Sequence, residues 1–152
     1  MALTLSCDGL DLSLLNPTQF KLVFSKIPNT EFFCQSISIP ALRLNPVTQN
    51  TPFLDVNWQG EKVNHEPLVA SILLDKQMNT YSEIYKWLKG MSVLKQAEEG
   101  FSDCQVIIGE KTFNFVDVWP MSLAAIDLSI ATPVVETVAF TVMFEYDYFD
   151  LV

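Results

Sequence analysis

The sequence contains few glycines, one histidine and few basic residues, and each shortage excludes a class of chemistry. Five glycines in 152 residues leave little room for a glycine-rich loop that cradles phosphates. The only histidine, His65, is not accompanied by a nucleophile motif such as GxSxG, so we interpret it as a loop residue. No paired acids stand out either, and we therefore expect neither enzyme activity nor a bound cofactor.

Cysteine is scarce as well. Cys7, Cys34 and Cys104 are far apart and odd in number, and no CxxC or Cys/His spacing occurs. Neither a disulfide framework nor a zinc or other metal site is therefore predicted. Cys34 and Cys104 lie inside apolar, strand-like runs, which is typical of small buried side chains in a reducing cytoplasm.

Long apolar runs are missing, although 49% of the residues are hydrophobic and the mean hydropathy is +0.24. This composition is apolar for a small domain, which needs a polar surface in water. Part of its apolar surface is therefore expected to be buried between subunits or inserted in a membrane. No run approaches the roughly 18 apolar residues of a membrane helix, so we favour burial between subunits. The first six residues also lack the basic and apolar regions of a signal peptide. The length predicts one domain over residues 1–152, with 1–16 as a leader.

Basic residues number only 9, against 18 acidic ones, and the net charge is −9. A surface this acidic repels phosphates, so specific binding of nucleic acid is not expected. The acidity either keeps an apolar protein soluble or forms a like-charged wall past which DNA slides without adhering. Composition alone favours the first interpretation.

The C-terminal part of the chain alternates almost without a break from Pro133 to Tyr148. The period of two predicts one long strand with a buried aromatic face. That face carries Val134, Val138, Phe140, Val142, Phe144, Tyr146 and Tyr148. Because such a strand suits a sheet that continues into another copy, Phe144, Tyr146 and Tyr148 are candidate subunit-interface residues.

Residues 41–67 carry three prolines, several Asn and Gln residues, and no long regular element. Irregular segments of this length are usually functional or disordered. Phe53, Leu54, Val56 and Trp58 make this one too apolar for a disordered linker. We interpret it as a protruding hairpin arm whose four apolar residues pack on a partner. The alternative is a pair of ordinary strands in the domain's own sheet.

Further strands are predicted by alternation and turn signals at Gln19–Ser25, Phe32–Ile39, Leu68–Asp75, Cys104–Ile108, Thr112–Val116 and Ser122–Ile130. The first two are expected to form a hairpin, and so are the two that flank Gly109. Leu68–Asp75 is expected to be buried on both faces, and Trp119-Pro120 is expected to break the chain.

One helix is predicted over residues 81–89, because Thr80 and Glu83 match the S/T-x-x-E capping box. Its sheet-facing residues are expected to be Tyr81, Ile84, Tyr85 and Leu88, which recur at helical spacing. Gly90 either ends or interrupts it, and residues 91–99 form a possible second stretch. The whole pattern predicts a mainly β domain, of seven or more strands around one helix.

Three pieces of the sequence, in this order, resemble a known family. They are Asn16–Phe24, an alternating strand after Asn-Pro; Phe32–Ala41, an aromatic and small-polar strand ending in proline; and Val118–Pro120 with Ile126–Leu128 and Val138–Tyr148. Together they are similar to the tail tube proteins of contractile-tailed, T4-like bacteriophages, which are relatives of the type VI secretion tube protein. The likeness covers about Asn16 to Tyr148.

The resemblance implies a two-sheet antiparallel β-barrel or sandwich with a flanking helix and the hairpin arm. It implies hexameric rings that stack into the inner tube of a virion tail, with the arm reaching the next ring. Sheath, baseplate and tail terminator proteins would be partners, and DNA would pass through the lumen without specific binding. The protein would be made in the cytoplasm of a host bacterium, without membrane insertion.

Other functions stay open at this point. The same fold is expected for a tube-initiating baseplate protein and for the tube subunit of a type VI-like or contractile injection system. A small-ligand-binding β-barrel is a further alternative, which predicts a monomer with a closed apolar cavity.

Overall fold

The computed structural model describes residues 14–28, 33–93, 100–131 and 137–152. Eleven strands and one helix lie in these ranges. The strands are β1 (Phe20–Phe24), β2 (Cys34–Ser38), β3 (Leu42–Leu44), β4 (Val47–Gln49), β5 (Val56–Trp58), β6 (Val63–His65), β7 (Leu68–Leu73), β8 (Ser102–Ile108), β9 (Lys111–Leu123), β10 (Ala139–Glu145) and β11 (Tyr148–Leu151); the helix is α1 (Asn79–Met91). The prediction of a mainly β fold with one helix is confirmed.

Seven strands form the body of the domain, in the order β1-β8-β9-β10-β7-β2 with β11 also on β9, and every pair is antiparallel. The first half of β9 lies between β8 and β11, and its second half pairs with β10. This single strand therefore joins two sheets, β1-β8-β9-β11 and β9-β10-β7-β2. The arrangement agrees with the two-sheet barrel or sandwich that the resemblance implies.

β9 can serve both sheets because its ladders shift register twice. One shift lies where it passes β8 between Ser102 and Cys104, and Asp117 has a φ of 55° at that place. The second lies opposite Met143 and Phe144. An extra residue in one strand bends it and increases its twist, so two bulges turn β9 from one sheet into the other.

Pro120 was expected to break the chain, and this prediction is wrong. It lies inside β9 opposite Phe144, at the second register shift. A proline has no backbone N–H to donate, and a bulge is one of the few sheet positions that tolerates it. The strand predicted at Ser122–Ile130 is also wrong, because β9 ends at Leu123 and residues 124–131 form no strand.

The core lies on the inner faces of the two sheets. It consists of Leu22, Phe24, Ile27, Leu68, Ala70, Ile72, Ile84, Cys104, Val106, Phe115, Val118, Phe140, Val142, Phe144 and Tyr146. Aromatic rings fill its centre: the ring centroids of Phe24 and Phe144 are 4.8 Å apart, and those of Phe115 and Tyr146 are 4.9 Å apart.

α1 covers this core with one face. The ring of Tyr81 meets Phe140 edge-on at 5.2 Å, and Trp87 lies 6.1 Å from Phe24 while its Nε1 donates to the carbonyl of Gly100 at 2.6 Å. Ile84 is fully buried. Tyr85 is 45% exposed, so its predicted place on the sheet is wrong, and Trp87 lies inward instead.

The helix begins earlier than predicted, and its start is not a capping box. Thr80 lies in its first turn and is buried, whereas the capping position is held by Met78 in a left-handed conformation without a side-chain cap bond. Asp75 supplies an acceptor instead, since its Oδ2 receives the Asn79 amide at 3.0 Å. Gly90 lies inside α1 and does not end it.

One of the two predicted hairpins is present and the other is not. The hairpin around Gly109 is confirmed, with β8 and β9 paired from Ile108–Lys111 onward. The hairpin of β1 and β2 is wrong, since β1 pairs with β8 and β2 pairs with β7. β7 alternates between buried and half-buried residues and is not buried on both faces.

The long C-terminal strand is also wrong in its predicted extent. β10 ends at Glu145, β11 starts at Tyr148, and both pair with β9. At the kink between them the Asp147 amide donates to the carbonyl of Val116 at 3.1 Å. The C-terminal strands bend here because the strand they follow is itself bent at its first bulge.

Some predictions fall on residues outside the described ranges. They concern most of the 1–16 leader with Cys7, the start of the predicted strand at Phe32, the helical stretch at 94–99, and residues 133–136 of the C-terminal strand.

Alkaline pH is expected to destabilise the fold through its two described thiols. Burial raises the pKa of Cys34 from 9.0 to about 11, and raises the pKa of Cys104 further. A folded-state pKa above the unfolded value gives stability that is complete below pH 9.0 and is lost as pH rises toward about 11. Urea unfolding across this range measures the loss, and a Cys34→Ala, Cys104→Ala variant should lose less. An equal loss in that variant would contradict the assignment.

Candidate functional site

The segment from β3 to β6 forms a hairpin that stands apart from the body. β3 pairs with β6 and β4 pairs with β5, and none of the four pairs with a strand of the seven-stranded sheet. The four strands therefore make one long two-stranded arm, with residues 50–55 at its tip. The predicted protruding hairpin is confirmed, and the alternative of strands within the domain's own sheet is not.

The outer ladder of the arm, formed by β4 and β5, is amphipathic. Val47 lies opposite Trp58 and Gln49 opposite Val56, so these four side chains share one face. Trp58 Nε1 donates to Gln49 Oε1 at 3.0 Å across that face. The other face carries the polar pair Thr48 and Asn57, whose hydroxyl-to-amide oxygen distance is 2.9 Å.

The inner ladder, formed by β3 and β6, likewise has one mainly apolar face and one polar face. Leu42 and Leu44 lie opposite His65 and Val63 on one face, whereas Arg43 and Asn64 form the polar pair on the other. Sequence reasoning missed Leu42, Leu44, Val47 and Val63 as candidate contact residues. The Leu42-Arg43-Leu44 alternation was a usable signal for them, since it has the period of a one-sided strand.

Eight apolar side chains of the arm are exposed, in whole or in part, in the described chain. The exposed fractions are 57% for Leu42, 44% for Leu44, 60% for Val47, 98% for Phe53, 71% for Leu54, 38% for Val56, 58% for Trp58 and 55% for Val63. An isolated two-stranded ribbon is marginally stable in water, and a contiguous apolar patch usually marks an interaction site. The arm therefore has the properties of a contact surface for another protein.

The tip presents its apolar side chains on a compact turn. The Thr51 hydroxyl bonds to the carbonyl of Leu54 and accepts the Leu54 amide at 3.2 Å. This closed turn holds Phe53 outward, almost fully exposed.

Gly60 allows the two strands of the arm to approach closely at the junction between the β3–β6 ladder and the β4–β5 ladder. A Cβ built on Gly60 would lie 1.8 Å from the Asn45 carbonyl oxygen, far closer than any real contact. Gly60→Ala must therefore displace backbone and separate the strands at this point.

We expect Gly60→Ala to disturb the arm while the body stays folded. Amide hydrogen exchange should accelerate across β3 to β6 and stay unchanged in β7, β8 and β10. Gly90→Ala is the matched control, since a Cβ there meets nothing within 4 Å. Unchanged exchange in the arm of Gly60→Ala would show that the close approach does not matter.

The three C-terminal candidates separate in the structure. Phe144 is fully buried and Tyr146 is 3% exposed, so their side chains belong to the chain's own core. Tyr148 is 49% exposed, because the alternation changes phase at the kink and Phe149 takes the place against the core. Tyr148 thus joins Phe53, Leu54, Val56 and Trp58 as a residue available to a partner.

His65 is not a loop residue as predicted, since it ends β6 at the base of the arm. Its ring stacks on Tyr146 with centroids 4.5 Å apart. The described ranges hold no group of three or more His, Cys, Asp or Glu residues placed to bind a metal ion. Among those same residues, no helix has both the length and the hydropathy needed to cross a membrane.

Neither a protein-family model nor a curated protein matches the sequence. Solved structures share its fold. A chain from the cryo-EM structure of the anti-feeding prophage tube-terminating cap has a TM-score of 0.71 at 11% identity, covering 97% of each chain. One from the anti-feeding prophage baseplate has a TM-score of 0.70 at 15% identity, covering 94% of this chain and 97% of the other.

A third chain comes from the sheath/tube terminator of an extracellular contractile injection system, PVC, in the extended state. Its TM-score is 0.69 at 12% identity, and the match covers 93% of this chain and 99% of the other. At such identities the likeness establishes the fold alone. It confirms the tail-tube-like fold predicted from the sequence.

Proposed function

We propose that this chain is a structural subunit of the inner tube of a contractile tail, assembled as hexameric rings that stack. The observation that carries the proposal is the arm, a hairpin that projects from a tail-tube-like fold with its apolar residues exposed. Burial of those residues against an adjacent subunit or ring would complete a surface that one chain leaves open. Tyr148 would contribute at the C-terminal strands.

The acidic balance supports a conduit for DNA. A net charge of −9 opposes adhesion of phosphates to a channel wall, over a Debye length of about 8–10 Å at physiological salt. We infer that the wall of the assembled channel is net negative and that DNA passes it during ejection. The isolated protein should have no measurable affinity for DNA, since counterion release needs clustered basic residues.

A place in a contractile injection system is the second candidate, because one of the structural neighbours above comes from such a system. A tube-initiating protein of a baseplate has the same expected fold. Sheath, baseplate and terminator proteins would be partners in every case. The ligand-binding barrel loses support, because the rings of Phe24, Phe115 and Phe144 fill the centre of the core.

Mass photometry of the purified protein across a concentration series tests the assembly. We expect a species of six chains and, at higher concentration, its multiples. A monomer at every concentration and at moderate salt would contradict the proposal.

A further inference from the structure

The base of the arm is joined to the body by two reciprocal contacts. The Tyr146 hydroxyl donates to the carbonyl of Glu66, which directly follows β6, at 2.9 Å. His65 Nε2 lies 3.1 Å from the carbonyl of Asp147, in the kink between β10 and β11. Each ring thus reaches the backbone beside the other ring, and the two rings stack with an interplanar angle of 24°.

The chemistry of each contact fixes its donor. The Asp147 carbonyl can only accept, so His65 Nε2 carries the proton. Burial, with the Glu145 carboxylate as a second cause, raises the pKa of Tyr146 to about 12. Its hydroxyl therefore stays a donor throughout the physiological range.

Tyr146 is also the better anchored of the two residues. Its ring meets Phe115 at 4.9 Å and Phe149 at 5.9 Å, so it is held by the core and by β11 at once. One other tie at the base is weaker. Arg43 and Glu66 approach to 3.1 Å, but their side chains are 71% and 54% exposed, and exposed ion pairs contribute little.

We propose that the His65–Tyr146 pair is a clasp that sets the direction of the arm and ties it to the C-terminal strands. The arm shares no ladder with the body, so its direction depends on the contacts at its base. Through Tyr146 and Phe149, a displacement of β11 reaches the base of the arm. The clasp is a property of the single chain and does not rest on the proposed assembly.

Single-molecule fluorescence energy transfer tests the clasp at concentrations where the chain is a monomer. Dyes attached by non-cysteine chemistry at Thr51, in the arm tip, and Glu110, in the β8–β9 turn, report the direction of the arm. Tyr146→Phe keeps the ring and removes only the hydroxyl; Tyr148→Phe makes the same change two residues away on an exposed ring. We expect one narrow distance distribution in the unmodified protein and in Tyr148→Phe, and a broad one in Tyr146→Phe and His65→Ala.

Amide exchange gives a second readout. Loss of the Tyr146 hydrogen bond should accelerate exchange at the amides of residues 63–66 about five- to tenfold. The effects of Tyr146→Phe and His65→Ala should be non-additive in the double variant, as for residues in direct contact. If His65→Ala fails to fold, Tyr146→Phe alone decides. A narrow distribution and unchanged exchange in Tyr146→Phe would overturn the proposal, whatever the outcome of the assembly experiments.

Discussion

Replacing Phe53 and Trp58 together by serine should abolish stacking of the proposed rings while leaving the fold of the chain intact. Both side chains are exposed, Phe53 by 98% and Trp58 by 58%, so the body loses no core contact when they are removed. In an assembly they would be the largest apolar groups that the arm buries, and aromatic residues dominate the energetics of protein interfaces.

The polar face of the same ladder provides the control. Thr48→Ala with Asn57→Ala removes two side chains from the opposite face and should leave stacking unchanged. Light scattering measures assembly, and circular dichroism measures the fold of each variant. Unfolding of Phe53→Ser, Trp58→Ser would place these residues in the chain's own core, and normal stacking would remove the arm from the assembly interface.

Phe144→Ala should strongly destabilise the folded chain. The Phe144 side chain is fully buried, and its ring lies 4.8 Å from Phe24 and 6.1 Å from Trp87, where it joins β10 to β1 and α1. Truncating a buried phenylalanine costs about 3–5 kcal/mol, because the lost apolar burial and the cavity left behind add together.

Tyr148→Ala is the matched control, since it lies on the same part of the chain but is half exposed. It should change the free energy of unfolding by less than about 0.5 kcal/mol, as surface substitutions usually do. Urea denaturation under conditions that keep the chain monomeric compares the two. A loss of less than about 0.5 kcal/mol for Phe144→Ala would contradict the place of its side chain in the core.

Local sequence signals predicted several elements of the fold. The glycine turn predicted the β8–β9 hairpin, because Gly109 adopts a φ of 59° that suits a tight turn. Helical spacing of Tyr81, Ile84, Tyr85 and Leu88 predicted α1, although Tyr85 is exposed in the structure. The proline-rich composition of residues 41–67, together with Phe53 and its apolar neighbours, predicted the exposed arm.

The predictions that were wrong concern features that depend on distant parts of the chain. The partner of β1 is β8, about 80 residues along the sequence, and a local turn signal contains no information about such pairing. The kink at Tyr146-Asp147 follows the bend in β9, so alternation within the C-terminal segment alone extended one strand too far. Phe144 and Tyr146 were interface candidates because the strand suited a sheet continued in another copy, and in the single chain their side chains lie in the core.

Electron microscopy of the purified protein tests the central claim most directly. The account predicts six-fold rings stacked around an open channel, with the arms at the contacts between adjacent subunits or rings and a channel wall of net negative charge. Isolated monomers, a solid filament without a channel, or a channel lined mainly by Lys21, Arg43, Lys62 and Lys111 would contradict it.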